Sequence, residues 1–153
     1  MIIVLLIIID QLSKWFANMY KPSFDVIGDF LQIQYTENTG TIFGLMQNTN
    51  TIFIVLGIVL CVFIGIYMKY KVPRESTIEK CFILILAGGV GNIIDRIFRG
   101  FVVDFISLKW VGIFNFADSY IVLGVLFIIF MEIREIFKDG EADKKSDFTS
   151  WWI

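Results

Sequence analysis

Asp104 and Asp118 are the side chains best suited to chemistry in this chain. Asp118 lies in Phe114-Asn115-Phe116-Ala117-Asp118, at the mouth of an apolar run from Tyr120 to Met131. Asp104 lies just before it, in Phe101-Val102-Val103-Asp104-Phe105-Ile106, with apolar neighbours on both sides. A charged side chain at bilayer depth costs about 2.5–3.5 kcal/mol on insertion scales, so a carboxylate in such a setting marks function by default. The chain has no histidine, which removes the commonest general base. Two carboxyl groups held close cannot both ionise easily and share a proton. The ionised one activates a water, while the protonated one polarises a peptide carbonyl and later protonates the leaving amine. That is the aspartic-protease division of labour, and it needs no metal, thiol or imidazole.

Competing chemistries fit less well. Triads built on histidine are excluded. Ser13 and Lys14 are adjacent and point about 100° apart on a helix. Ser107 and Lys109 share a strand face but sit in a short loop without an oxyanion signature. Carboxylates alone suit magnesium or calcium, which recruit more oxygen ligands than this pattern offers, so no metal and no cofactor is expected. Cys61 and Cys81 sit in apolar stretches and read as small core residues. The net charge of −2 argues against a nucleic-acid partner.

The elements that must position the two acids are membrane helices. The chain of 153 residues is 57% hydrophobic with a mean hydropathy of +0.75, and the excess lies in long runs. A span needs about 20 mostly apolar residues. Four are expected, at about 1–20, 51–68, 78–98 and 115–137, in a single membrane-embedded domain covering 1–153. The fold class is thus an integral membrane protein, mainly α. The first span has neither a basic leader nor a small-residue cleavage site and reads as a retained helix. The short basic link Lys69-Tyr70-Lys71-Val72-Pro73-Arg74 places that end in the cytoplasm, along with both termini. Arg96 and Arg99 near the outer side run against this bias. Phe24 to Phe43 alternates loosely and is rich in β-formers, which predicts a small extracytoplasmic β-sheet within about 22–44, lying on the membrane. The polar tail 138–153 is expected to be mobile. Its Trp151-Trp152-Ile153 ending suits the membrane interface.

Further polar groups interrupt the apolar helices. Asp10 and Lys14, spaced i, i+4, share one helix face and read as a supporting ion pair that locks the first helix to the bundle, or else as a direct substrate contact. Asn92, Asp95 and Arg96 form a polar stripe at the outer end of the third helix. That stripe is either a headgroup-level cluster or a substrate-gripping face, with Arg96 donating to carbonyls or lipid phosphate. Gly88, Gly89 and Gly91 before it allow close backbone approach to a neighbouring helix. Asn115 fits an N-cap and Asp118 a first-turn acid, without any catalytic role. Asn38-Thr39-Gly40-Thr41-Ile42-Phe43-Gly44 is a turn signal of low specificity. A proton-coupled transporter also uses buried acids, though it would show repeats or broken midplane helices. A non-catalytic scaffold is a third reading.

Taken together these motifs resemble the bacterial lipoprotein signal peptidase, or signal peptidase II, family. The likeness rests on Asp10-Gln11-Leu12-Ser13-Lys14, Asn38-Thr39-Gly40 with Phe43, Gly88 to Arg96, Gly100 to Phe105 and Phe114 to Asp118, all in family order. It implies a membrane aspartic endopeptidase that cleaves prolipoproteins on the amino side of a diacylglyceryl-modified cysteine. Asp104 and Asp118 match the catalytic pair. Asn38, Gly40, Asn92, Asp95, Arg96 and Asn115 match pocket positions, and Asp10 and Lys14 supporting ones. The implied fold is four transmembrane helices, an outer β-cradle and a short outer helix. The implied setting is the bacterial cytoplasmic membrane, as a monomer among membrane lipids, with the active site outside and the antibiotic globomycin as inhibitor. Thr41-Ile42 stands where the family usually has small residues.

Overall fold

The computed structural model describes residues 1–40 and 49–150, with side chains described for 1–40 and 50–138. Thr41 to Gly44 and the Trp151-Trp152-Ile153 ending, both singled out above, lie outside the described residues. The element order is α1 (Ile2–Tyr20), β1 (Ser23–Ile27), β2 (Leu31–Asn38), α2 (Thr49–Lys71), α3 (Thr77–Phe98), β3 (Val102–Leu108), β4 (Gly112–Phe114) and α4 (Phe116–Ser150). Within the described residues four helices are long and apolar enough to cross a membrane, within a few residues of the expected spans. The segment after Phe137 departs from expectation: α4 continues as helical backbone to Ser150. No short outer helix occurs among the described residues.

The helices alternate in direction. The sheet strands and the starts of α2 and α4 gather at one end of the bundle, and the basic link after Lys71 at the other. Ser76 begins α3, its side chain accepting the Glu79 N–H at 3.1 Å. The lipid-facing surface is apolar because it has no water to face. Leu56, Val59, Leu60 and Phe63 on α2 are each more than half exposed within the protein itself.

The sheet is antiparallel in the order β1-β2-β3-β4. The expected strand region thus supplies only half of it, and a second hairpin between α3 and α4 supplies the rest. β3 is interior, paired to β2 through Thr36 opposite Asp104 and to β4 through Ile106 opposite Phe114. Alternation along β3 sends Val103 and Phe105 to one face and Asp104 to the other. Val103 and Phe105 pack with Ala17 of α1, and Phe116 meets Phe105 edge-on at 5.5 Å. This apolar seat fixes the strand carrying Asp104 against the helix carrying Asp118.

Small residues bring α3 close to α4 and to α1, as the glycine run predicts. A Cβ on Gly88 would come within 2.2 Å of the Ala117 carbonyl oxygen, and one on Gly91 within 2.5 Å of Asp10 Oδ2. Gly88→Ala must therefore push the first turn of α4 away. Overpacking of this kind typically costs about 1–3 kcal/mol. The expected result is a lower thermal midpoint in detergent together with reduced activity. An unchanged midpoint would mean the helices separate freely.

Candidate active site

Four elements deliver the polar side chains to the junction of bundle and sheet. Asn115 caps α4: its Oδ1 accepts the Asp118 N–H at 3.0 Å, and Asp118 Oδ2 accepts the Asn115 N–H at 3.3 Å. This reciprocal pairing is a capping box with aspartate as the acid. The cap and first-turn acid readings of Asn115 and Asp118 therefore hold, and the cap residue also reaches Asp104. The Asn115 amide donates to Asp104 Oδ1 at 2.6 Å. Asn38, at the end of β2, donates to Asp104 Oδ2 at 3.0 Å. Asn92 on α3 donates to Asp118 Oδ1 at 2.7 Å, while its own Oδ1 accepts from Asn115 at 3.3 Å and from Lys14 at 2.9 Å. One asparagine, Asn115, thus holds both carboxylates.

The two acids differ in setting. Asp104 is 2% exposed, whereas Asp118 is half-buried and reaches a groove of about 440 Å³ between the second hairpin and α4. Leu108, Ile113, Phe114, Val122 and Leu123 make that groove apolar, with Ser119 beside Asp118. Burial raises the Asp104 pKa above the ordinary carboxylate value. Asn38 and Asn115 oppose the rise by bonding to the charged form, and the Asp118 charge adds to it.

Beneath the pair lies a second charged cluster. Asp10, Lys14 and Asp95 are each 0% exposed. Lys14 Nζ lies 2.9 Å from Asp10 Oδ2 and 3.4 Å from Asp95 Oδ2. Gln11 donates to Asp10, to Asp95 and to the Gly91 carbonyl, and Arg99 pairs with Asp95. Two acids and two bases leave this cluster neutral. Every buried side-chain nitrogen and oxygen among the described residues has a partner. Such an ensemble avoids the penalty of a lone buried charge.

The polar stripe of α3 is split. Asn92 and Asp95 face α1 and α4, but Arg96 turns to α2, its guanidinium 4.6 Å over the Phe53 ring and within 3.4 Å of Asn50 Oδ1. Gly40 belongs to that corner. Its N–H donates to Asn38 Oδ1, its φ is +72°, and a Cβ there would strike the Phe53 ring. Gln11, Asn50 and Arg99 received no role from sequence. The i, i+4 spacing of Asp95 and Arg99 was the available signal. Among the described residues no group of three or more Cys, Asp or Glu side chains is arranged to hold a metal ion.

Four spanning helices meeting a small sheet, with one buried and one half-buried aspartate at the junction, define an integral membrane protein built around a polar centre at one end of its bundle. The Signal peptidase (SPase) II family model matches residues 2–134, and the chain belongs to that family of peptidases. A lipoprotein signal peptidase of Caldanaerobacter subterraneus subsp. tengcongensis is 38% identical over 143 residues, covering 91% of this chain and 96% of the relative. One from Clostridioides difficile is 40% identical over 135 residues, covering 84% and 89%. A solved structure described as a bacterial membrane enzyme, obtained by the in meso method at 2.3 Å resolution, superposes with a TM-score of 0.78. It has 31% identity over 88% of this chain and 87% of that one.

Proposed function

We propose that this protein removes signal peptides from prolipoproteins as a two-aspartate endopeptidase, cutting on the amino side of a diacylglyceryl-modified cysteine. The observation that carries the proposal is the shared grip of Asn115 on Asp104 and Asp118. It holds a carboxylate of β3 and a carboxylate of α4 where the bundle meets the sheet. Family membership supports the substrate class.

Asp104, buried and with its pKa raised, is the acid of the pair. Asp118, at the groove, is the base. Asp118 takes a proton from water as the water oxygen attacks the scissile carbonyl carbon, and Asp104 protonates the carbonyl oxygen. In collapse, the proton on Asp118 passes to the leaving nitrogen, the C–N bond breaks, and Asp104 recovers its proton from the hydroxyl. The products are a signal peptide carboxyl and a free amine on the lipidated cysteine. The apolar groove suits the substrate chain, and the acyl chains remain in the bilayer. Asn38, Gly40, Asn92 and Arg96 line the approach, and Asp95 braces it from below. The site end faces outward and both termini face the cytoplasm of a bacterial inner membrane. The basic link at the opposite end of the bundle supports that orientation. The working unit is a monomer.

The direct test uses purified protein with a synthetic diacylated precursor peptide and its unlipidated twin. Cleavage of the first alone, blocked by globomycin, is the expected result. Equal cleavage of both, or of neither, refutes the assignment of substrate.

The raised Asp104 pKa gives a pH prediction. The acid form survives to a higher pH than an ordinary carboxyl, so the basic limb of the rate profile should lie above the usual carboxylate range. Stability follows the same sign. A carboxyl with a raised folded pKa stabilises at low pH, and that contribution is lost as pH rises through the folded value. Thermal midpoints in detergent should therefore fall across that window for the wild type and less so for Asp104→Asn.

A further inference from the structure

The cluster of Asp10, Lys14 and Asp95 does more than join helices. Asp95 Oδ2 accepts the backbone N–H of Val103 at 3.0 Å, and Asp10 Oδ1 accepts the backbone N–H of Ala117 at 2.9 Å. Val103 and Ala117 immediately precede Asp104 and Asp118. Each buried acid therefore holds the backbone N–H of the residue that directly precedes one member of the pair. Lys14 ties the two holders together, and its third contact is Asn92 Oδ1, whose amide bonds Asp118. The same lysine thus reaches the pair by three routes. Gln11 Nε2 spans Asp10 Oδ2 and Asp95 Oδ1 at 3.1 Å each, bracing the holders from a second side.

We infer that Asp10 and Asp95 are positioning residues for hydrolysis: through the N–H groups of Ala117 and Val103 they set the separation and aim of Asp118 and Asp104. The inference rests on the two-aspartate reading above. A bundle needs salt bridges only between side chains, and neither backbone bond is required to join α1 to α3. Both bonds leave the cluster and end one residue short of a reactive acid, on different elements. α4 has its own cap in Asn115, so Asp10 adds a second anchor at that turn. Displacement of a reacting group by about 1 Å can cost 10²-fold in rate, so loss of an anchor should appear in turnover rather than in substrate binding.

The experiment compares Asp10→Asn with Asp10→Ala, and Asp95→Asn with Asp95→Ala, on the diacylated peptide. Asparagine keeps an oxygen for the backbone N–H, whereas alanine does not. Expected for the alanine variants is a kcat about 10²-fold lower per folded molecule, with KM within twofold. The two limbs of their pH profile should draw together as the acids separate. The asparagine variants should keep kcat within about tenfold. Equal losses in both variants, a loss confined to KM, or a loss that only tracks the folded fraction overturns the inference. If alanine prevents folding, replacing the peptide N–H of Val103 or Ala117 by an ester oxygen removes the donor and leaves every side chain in place. A tenfold or greater fall in kcat then supports the inference, and an unchanged kcat overturns it. Asp104→Asn and Asp118→Asn run alongside: activity in those variants defeats the two-aspartate reading itself, whereas inactivity there with active alanine variants defeats only the positioning role.

Discussion

Asp104→Asn and Asp118→Asn are each expected to lower cleavage of a diacylated precursor by about 10² to 10⁴-fold, the range that positioned acid–base groups contribute. The loss should fall on kcat, with KM little changed, because neither substitution alters the apolar side chains of the groove that Asp118 helps to line. Asparagine is nearly isosteric, so both variants should still extract as folded protein. For Asp104 the exchange removes a carboxylate that is 2% exposed, whose burial opposes its ionisation. It also turns an amide towards one of two amide donors, Asn38 or Asn115. The two effects oppose each other, so stability at neutral pH should change little while chemistry is lost. For Asp118 the exchange breaks one arm of the capping box and one acceptor for Asn92, so a modest loss of stability should accompany inactivity. The double variant should be no slower than either single one, since the acids act as a unit. A single variant that works at near wild-type rate would remove that acid from the mechanism.

Much of this site was legible in the sequence because its parts obey local rules. Asn115 and Asp118 stand three apart at a helix start, where a cap and a first-turn acid belong. Asp10 and Lys14 stand four apart and do pair, at 2.9 Å. The same rule, applied to Asp95, points to Arg99 rather than to its neighbour Arg96, which lies about 100° round the helix. The structure obeys it: Arg99 joins Asp95, and Arg96 turns to Phe53. The second hairpin was harder to see. β4 has only three residues, too few for alternation to register, and β3 is buried or half-buried along its whole length. Least legible were the bonds from Asp95 to Val103 and from Asp10 to Ala117. Their donors are backbone N–H groups, which every non-proline residue carries, so no side-chain pattern announces them. They follow from where β3 and α4 begin in space, which the glycine contacts of α3 decide.

Lys14→Met should be the most destabilising exchange in the bundle. Lys14 is the cation shared by two fully buried carboxylates, and its third contact is Asn92. Methionine fills similar space but leaves Asp10 without its ion-pair partner, while Asp95 retains Arg99. Removing one partner of a buried pair typically costs about 3–5 kcal/mol, because the remaining charge is neither solvated nor balanced. That is a large part of the roughly 5–15 kcal/mol by which folded proteins are usually stable. The expected outcome is little monodisperse protein after extraction and a sharply lower thermal midpoint. Charge, rather than lost packing, is isolated by the double variant Lys14→Met with Asp10→Asn. It removes the stranded carboxylate while keeping an oxygen for the Ala117 N–H. If uncompensated charge is the cause, the double variant should be more stable than Lys14→Met alone, a coupling of the kind that contacting residues show. If the second exchange only adds to the damage, the buried cluster is held by shape, and its balance of charges is incidental to the fold.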